Sequence, residues 1–363
     1  MLNKLVDTNS VSRYHFIPPI AVAAVVFLAV FFTLANHLSA AIPNQSKLPR
    51  EVWIASFSQE GIFEDTSELM VQKVLEELEK LEPYHPDVVC LPENFAFANV
   101  TKTYTANDIA ILSQKVIEQF SEYSRKHNCY TICPVYTSDD NGYIFNTAVV
   151  IDRQGNTIGS YKKIHITEGE IAKGLSPGPL QQPIIQTDFG KIGIQICFDI
   201  LWDDGWEMCR SQGAEIIFFT SAFPGGQMVN AKAWQHKCVV VSSTRKRTSK
   251  ICDITGQVVA GTGFWDSNLV CAPVNLEKAF LHTWPFVNRF DEIRNKYGRK
   301  VKITTFHEEE WSVIESLSPD IRVADILKEF GLKTHEQHTH DSEMAQIKAR
   351  EEMEQNTNVS NEQ

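Results

Sequence analysis

From Arg50 to Asn275 the chain alternates short apolar, β-branched runs with longer amphipathic stretches. Short runs of this kind bounded by turn residues fit strands, and the longer stretches fit helices. The pattern predicts strands over Val52–Ser58, Asp87–Leu91, Tyr130–Tyr136, Phe145–Asp152, Gly159–Ile166, Lys191–Cys197, Glu215–Ser221, Val239–Ser243, Ser249–Ile254 and Leu269–Val274. It predicts helices over Asp65–Leu81, Ala106–His127, Asp203–Gln212 and Gln227–Lys237. Asp139-Asp140-Asn141-Gly142 and Arg153-Gln154-Gly155-Asn156 lie between strand runs and carry the chemistry of hairpin turns, so antiparallel pairs accompany the strand-helix units. No internal repeat is present. The expectation is one α/β domain over residues 50–275. Residues 276–333 still carry Trp284, Phe286, Tyr297, Phe306 and Trp311, and are expected to form an extension that packs on that domain or on a partner subunit.

The two ends differ from this middle. Residues 17–35 contain no charge, and about 20 apolar residues suffice to cross a bilayer's hydrocarbon. Residues 1–49 therefore read as a membrane-targeting segment and linker. A cleaved signal peptide, with small residues Ser39, Ala40 and Ala41 available for cleavage, would give a secreted protein; an uncleaved signal anchor would give a single-pass membrane protein. The apolar run exceeds the usual signal-peptide core, which favours the anchor. Lys4 and Arg13 before the run balance Lys47 and Arg50 after it, so the positive-inside rule has nothing to act on. Residues 334–363 are polar and rich in Glu, Gln, Asn and His, and read as a solvated helix or a flexible tail. His335, His338 and His340 lie there without Cys or clustered carboxylates, so solvation is expected rather than a metal site.

Charge narrows the functional classes. Lys and Arg number 34 against 45 Asp and Glu, a net charge of −11, and the dense basic run is confined to Arg245-Lys246-Arg247. Nucleic-acid binding needs clustered cations to neutralise phosphates, so no nucleic-acid partner is expected.

There are eight cysteines. Cys90, Cys129, Cys133, Cys238, Cys252 and Cys271 lie in or beside apolar strand candidates, where a free Cys behaves as a small buried hydrophobe. Cys197 differs. It ends the run Lys191–Ile196 and precedes Phe198-Asp199-Ile200-Leu201-Trp202 and an amphipathic helix, so it occupies a strand-to-helix turn. Such a turn lifts a thiol clear of the sheet, and backbone N–H groups at the helix entrance can lower its pKa and stabilise an oxyanion. A thiol nucleophile also needs a base and a charge partner. Glu93, at the end of Val88–Leu91, and Lys163, in Gly159–His165, both lie at strand ends.

Leu91-Pro92-Glu93-Asn94, Tyr161-Lys162-Lys163-Ile164-His165 and Gly193-Ile194-Gln195-Ile196-Cys197-Phe198-Asp199, in this order, resemble the motifs of the nitrilase superfamily of carbon-nitrogen hydrolases. The resemblance runs from about Val52 to Asn275. It implies an α-β-β-α sandwich that pairs sheets across a dimer, with oligomerisation common. It implies that Glu93 is the general base, Cys197 the nucleophile and Lys163 the cation that stabilises the tetrahedral intermediate. Lys162 is the rival cation, but adjacent strand side chains point to opposite faces, and the motif selects Lys163. A second Glu of the family corresponds to Glu168 or Glu170; the distance from Lys163 favours Glu170. Phe198 stands where Tyr or Trp is frequent and would supply its backbone N–H to the oxyanion. No metal or cofactor is implied.

The activity implied is hydrolysis of a non-peptide carbon-nitrogen bond in a small amide, carbamoyl or nitrile substrate, with amidase or N-carbamoyl hydrolase favoured over nitrilase. N-acyl transfer, a biotinidase or pantetheinase-like amidohydrolase, and an inactive binding scaffold are the alternatives. Substrate choice is expected from Phe95–Thr105, Trp202–Glu207 and Pro224–Val229, with Trp202, Trp206 and Phe223 as candidate pocket walls.

Overall fold

The computed structural model describes residues 48–263 and 267–361. The apolar run 17–35 lies outside these residues. Among the described residues no helix is long and apolar enough to cross a membrane.

The strands follow in chain order as Glu51–Phe57 (β1), Val88–Cys90 (β2), Tyr130–Ser138 (β3), Ile144–Ile151 (β4), Thr157–Lys162 (β5), Ile185–Gln186 (β6), Lys191–Ile196 (β7), Ile216–Ser221 (β8), Val239–Thr244 (β9), Lys250–Cys252 (β10), Val258–Gly261 (β11) and Leu269–Asn275 (β12). They form two six-stranded sheets, ordered β12-β1-β2-β3-β4-β5 and β11-β10-β9-β8-β7-β6. Each has a parallel centre and antiparallel flanks: β1, β2 and β3 run parallel in the first sheet, and β7, β8 and β9 in the second. The two predicted turn segments join the antiparallel pairs β3-β4 and β4-β5, with Gly142 and Gly155 at φ +81° and +79°.

Strand alternation sorts the side chains into layers. Val52 and Ile54 of β1 and Val88 and Cys90 of β2 join β7, β8 and β9 in the largest core. Ala55, Phe57 and Val89, one position out of phase, face the helices Ser67–Leu78 and Ala106–His127. Helices Asp204–Ser211 and Gln227–His236 contribute Trp206, Met208, Val229 and Ala233 to the core of the second sheet. The result is a mixed α/β sandwich of two six-stranded sheets and their helices, as the pattern predicts.

The helix Ala106–His127 has the bounds that the pattern predicts, and its ends show why. Thr105 and Asp108 close a reciprocal capping box, the last turn carries Arg125, Lys126 and His127, and Asn128 ends it in the left-handed conformation. The cap is worth about 1 kcal/mol, whereas each of Val116, Phe120 and Tyr123 gains about 1.5–3 kcal/mol on burial, so packing decides where this helix lies.

Beyond β12, Lys278–His282 (β13), Val301–Phe306 (β14) and Trp311–Ser316 (β15) form a third sheet in the order β13-β15-β14. Phe280 and Val313 of this sheet belong to the main core, while Leu281 and Ile314 face helices Val287–Tyr297 and Val323–Phe330 in a separate cluster. Residues 335–361 form one helix, largely exposed where its side chains are described. Its start is tied down by His335 against Trp311 and by a 2.9 Å pair between Glu336 and Arg210.

Candidate active site

The chain leaves β7 at Ile196 and enters a 3-10 turn over Cys197–Leu201. Cys197 itself has φ +49°. The left-handed region costs a non-glycine residue about 1–2 kcal/mol, so the surrounding structure must hold it there. Asp199 is the restraint: buried at 1% exposure, its Oδ2 accepts from the Ile196 N–H and the Tyr161 hydroxyl, both at 2.9 Å. Its Oδ1 accepts from the His165 N–H at 2.7 Å and lies 3.2 Å from the His165 ring Nδ1.

Glu93 and Lys163 come from the first sheet and are 4% and 2% exposed. Glu93 follows β2 by three residues, immediately before Asn94 at φ +48°. Lys163 follows the last residue of β5, and its N–H donates to the Asn146 carbonyl at 2.8 Å. The strand stops one residue before Lys163, short of the predicted Ile166, because the chain turns there to reach Asp199. Lys163 Nζ donates to Glu93 Oε1 at 3.0 Å and to both Glu170 oxygens at 2.9 Å. Lys162 goes the other way, with its ammonium 3.9 Å from the centre of the Phe145 ring.

Glu170, not the exposed Glu168, is the second carboxylate. It is fixed by a capping box: the Thr167 N–H donates to Glu170 Oε2 at 2.8 Å, and the Glu170 N–H donates to Thr167 Oγ1 at 3.2 Å. Thr167-Glu168-Gly169-Glu170 is the S/T-x-x-E signature of such a box, a local signal that selects Glu170 independently of any family pattern.

Two further residues complete the cluster without having been singled out for it from the sequence. Asn146 of β4 donates both amide protons, to Glu93 Oε1 at 2.8 Å and to Glu170 Oε1 at 2.9 Å. Arg245, noted in the sequence only as part of a basic run, lies just past β9 and brings a guanidinium nitrogen within 3.5 Å of Glu93 Oε2. Lys163 and Arg245 thus balance Glu93 and Glu170, an arrangement a buried carboxylate pair requires.

Charge and burial set the protonation states. Burial opposes the charge on Lys163, but Glu93, a Cys197 thiolate and Glu170 outweigh it and hold its pKa above the ordinary lysine value. Burial also raises the pKa of Glu170, yet Lys163, the Thr167 N–H and Asn146 bring it below the ordinary value. Burial and the Glu93 charge push the Cys197 thiol up to about 11, against the pull of Lys163, the Ala222 backbone and the Ser221 hydroxyl. A backbone hydrogen bond does lower this pKa, at Ala222, but burial and the Glu93 charge outweigh it. Near neutral pH the resting residue is a thiol.

These side chains open on one cleft of about 790 Å³, lined by Glu93, Lys163, Glu170, Cys197 and Arg245 together with residues of the 97–106 segment. That segment was expected to select the substrate. The segments 202–207 and 224–229 supply no lining residue. Trp206 is fully buried in the core, Trp202 stacks on His165 with ring centres 4.2 Å apart, and Phe223 packs edge-on against Phe219. None of the three expected pocket walls lines the cleft. Phe198 likewise packs edge-on against Trp202, 5.0 Å between centres. Of the other cysteines, Cys90, Cys129, Cys133, Cys209, Cys238 and Cys252 are buried and none is disulfide-bonded. Among the described residues no group of His, Cys, Asp or Glu is arranged to hold a metal ion.

The family model for carbon-nitrogen hydrolases matches residues 56–279, which include every residue of this cluster. The chain belongs to the carbon-nitrogen hydrolase family. The chain is 26% identical over 174 residues to the deaminated glutathione amidase of Synechocystis, across 43% of its own length and 64% of the relative's. It is 26% identical over 177 residues to the nitrilase and fragile histidine triad fusion protein of Caenorhabditis elegans, across 44% of this chain and 40% of that one. A 109-residue stretch is 35% identical to the β-ureidopropionase of Arabidopsis thaliana, covering 29% and 27% of the two chains. The chain thus spans less than two thirds of the length of these curated relatives. Among solved structures, the same C. elegans fusion protein superimposes with a TM-score of 0.56 at 22% identity, over 69% of this chain and 64% of that one. A carbon-nitrogen hydrolase of Helicobacter pylori G27 does so at 0.56 and 17% identity, over 69% and 94%. These likenesses establish the fold.

Proposed function

We propose that the protein hydrolyses a non-peptide carbon-nitrogen bond, an amide or N-carbamoyl group, through a thioester on Cys197. The observation that carries this reading is the meeting of Glu93, Lys163 and Cys197 in one cleft, drawn from two different sheets. A thiol with a pKa near 11 is a weak nucleophile until a base takes its proton during attack. Glu93 is that base. Its Oε1 is occupied by Lys163 and Asn146, whereas Oε2 carries a single long contact with Arg245 and has lone pairs to spare.

In the first half-reaction Cys197 Sγ bonds to the carbonyl carbon as its proton passes to Glu93. Lys163 and the Phe198 N–H, which as a first-turn N–H has no acceptor within its own turn, stabilise the oxyanion. The carbon-nitrogen bond then breaks, and the proton on Glu93 goes to the departing ammonia or amine. In the second half-reaction water gives a proton to Glu93 and its oxygen to the thioester carbon; collapse releases the acid and returns the proton to sulfur. Association into a homodimer, common in the family, is part of the proposal.

The test uses the purified full chain and a library of amides and N-carbamoyl compounds, with ammonia release and the acyl-enzyme adduct followed by colorimetry and intact mass. Turnover that disappears in Cys197→Ala, with a thioester adduct trapped on the wild type, supports the reading. If wild type and Cys197→Ala behave alike across the library, the hydrolase reading fails.

A further inference from the structure

The cleft is more cationic than the chain that carries it. The protein as a whole has a net charge of −11. Yet the charged side chains lining this cleft are Lys102, Lys163, Lys173 and Arg245 against Glu93 and Glu170. Lys163 is held between the two carboxylates, facing the reacting carbonyl, and serves the oxyanion rather than a distant anion. Arg245 is not: its contact with Glu93 is 3.5 Å, long for a charge-assisted hydrogen bond, and 27% of its side chain stays exposed. A guanidinium has five donors in a planar fork, so this one keeps donors available on its exposed edge. Lys102 and Lys173 are exposed and, among the described residues, form no ion pair within 4.0 Å. Apolar side chains, Phe97, Val100 and Ile109, share the wall with them.

From this arrangement we infer that Arg245 is an anion subsite, with Lys102 and Lys173 as a cationic rim, and that the substrate is a small amide or N-carbamoyl compound bearing a carboxylate. The inference rests on the reading of Cys197 as the nucleophile. A carboxylate accepts the two parallel N–H groups of the guanidinium, and the apolar wall accommodates a short carbon chain between that carboxylate and the scissile bond. The rim adds attraction that draws anions into an otherwise acidic protein and that salt would screen.

Thiol reagents of matched size test the subsite without knowledge of the substrate. Iodoacetate and iodoacetamide differ in charge and deliver similar groups to sulfur. We expect the full-length enzyme to alkylate at Cys197 with an iodoacetate-to-iodoacetamide rate ratio roughly tenfold above that of free cysteine, falling with added salt. Arg245→Gln should return the ratio towards that of free cysteine, and Arg245→Lys, which keeps the charge but not the fork, should lie between. Peptide mass analysis with Cys197→Ala as background assigns the modification. A ratio no higher than that of free cysteine, or one unchanged in Arg245→Gln, overturns the inference. A parallel comparison uses glutaramate against valeramide and N-carbamoylglycine against ethylurea. If Arg245→Gln lowers kcat/KM equally for the charged and neutral members, Arg245 serves Glu93 rather than substrate, and the inference fails. An anion preference in alkylation combined with no turnover of any amide or carbamoyl compound would instead leave the subsite standing and sink the hydrolase reading.

Discussion

The Asp199 carboxylate accepts the backbone N–H of His165 at 2.7 Å and lies 3.2 Å from its ring Nδ1. His165 stands two residues after Lys163 and Asp199 two residues after Cys197, so this pair ties the loop of the cation to the turn of the nucleophile. The other oxygen of Asp199 holds Ile196 and Tyr161. Asp199→Asn keeps the shape but turns two acceptor positions into donors facing donors. We expect a loss of about 1.5–3 kcal/mol in urea unfolding, and a fall in kcat with little change in KM, since Asp199 positions the nucleophile without lining the cleft.

The ring of His165 also carries a pH signal. Its hydrogen bond to Asp199 raises its pKa above the ordinary histidine value, burial opposes this, and the nearby Asp204 at 3.3 Å reinforces it; Trp202 stacks on the other side. A pKa raised on folding stabilises fully below about 6.5 and loses that contribution as pH rises through the folded value. The difference in unfolding free energy between wild type and His165→Gln should therefore shrink between pH 6 and 9. A difference that stays constant over this range rules the charged pair out.

Glu93→Gln separates thiol ionisation from catalysis. The Glu93 charge helps to hold Cys197 at about 11. Its removal should move the midpoint of thiolate absorbance near 240 nm, measured against Cys197→Ala, below that value. The variant then has more thiolate and less activity: kcat should drop by roughly 10²–10⁴ because the proton acceptor is gone. A midpoint that rises on this substitution contradicts the electrostatic account.

Glu170 and Glu168, in the same first turn of the helix Glu168–Ala172, give a paired test. Glu170→Gln removes one of the two carboxylates facing the buried Lys163 and should cost about 3–5 kcal/mol, while the exposed Glu168→Gln should stay within about 0.5 kcal/mol. A carboxylate whose pKa is lowered on folding contributes fully above about 4.3 and loses that stability as pH falls through its folded value. Wild type and Glu170→Gln should accordingly converge in stability towards pH 2–3 in urea titrations.

Cys197 sits at φ +49°, where glycine is at ease and alanine is not. Strain of about 1–2 kcal/mol is relieved in Cys197→Gly against an entropic cost of about 0.5–1 kcal/mol. The glycine variant should therefore be the more stable of Cys197→Gly and Cys197→Ala by about 0.5–1 kcal/mol in chemical unfolding, with both devoid of thioester. The reverse order would mean that the turn relaxes once the thiol is gone.

What the sequence made legible followed from local rules. The β-branched runs located the central strands, and the amphipathic stretch Ala106–His127 located the longest helix of the sandwich. The β6 and β11 edges, two and four residues long, escaped because so short a segment has no period to read. The third sheet escaped as well: Val301–Phe306 buries only its first residue, so its polar and apolar positions carry little contrast. At the site, Asn146 looked like one polar residue in an apolar strand, and its role depends on a partner 53 residues away across β3. Arg245 resembled a solvated basic run because its two neighbours, Lys246 and Arg247, carry the same charge. Asp199 was visible as part of a motif, but its partners Tyr161 and His165 lie in the 161–165 segment, more than thirty residues away, which only tertiary structure brings to it.

The pairing of β1 with β12 carries a consequence for how the molecule comes into being. Glu51–Phe57 is laid against Leu269–Asn275 over its whole length, and every strand of the second sheet is synthesised between those two. The Glu93, Asn146, Lys163 and Glu170 cluster can gather while the chain is still growing, but the edge of its sheet stays open until the twelfth strand arrives. Long-range closure of this kind slows folding and leaves a strand edge available to wrong partners in the interval. The ribosome therefore releases the acid-base cluster first, the thiol next and the clasp last, so that a nascent or truncated chain holds the charges of the site well before it holds a finished enzyme.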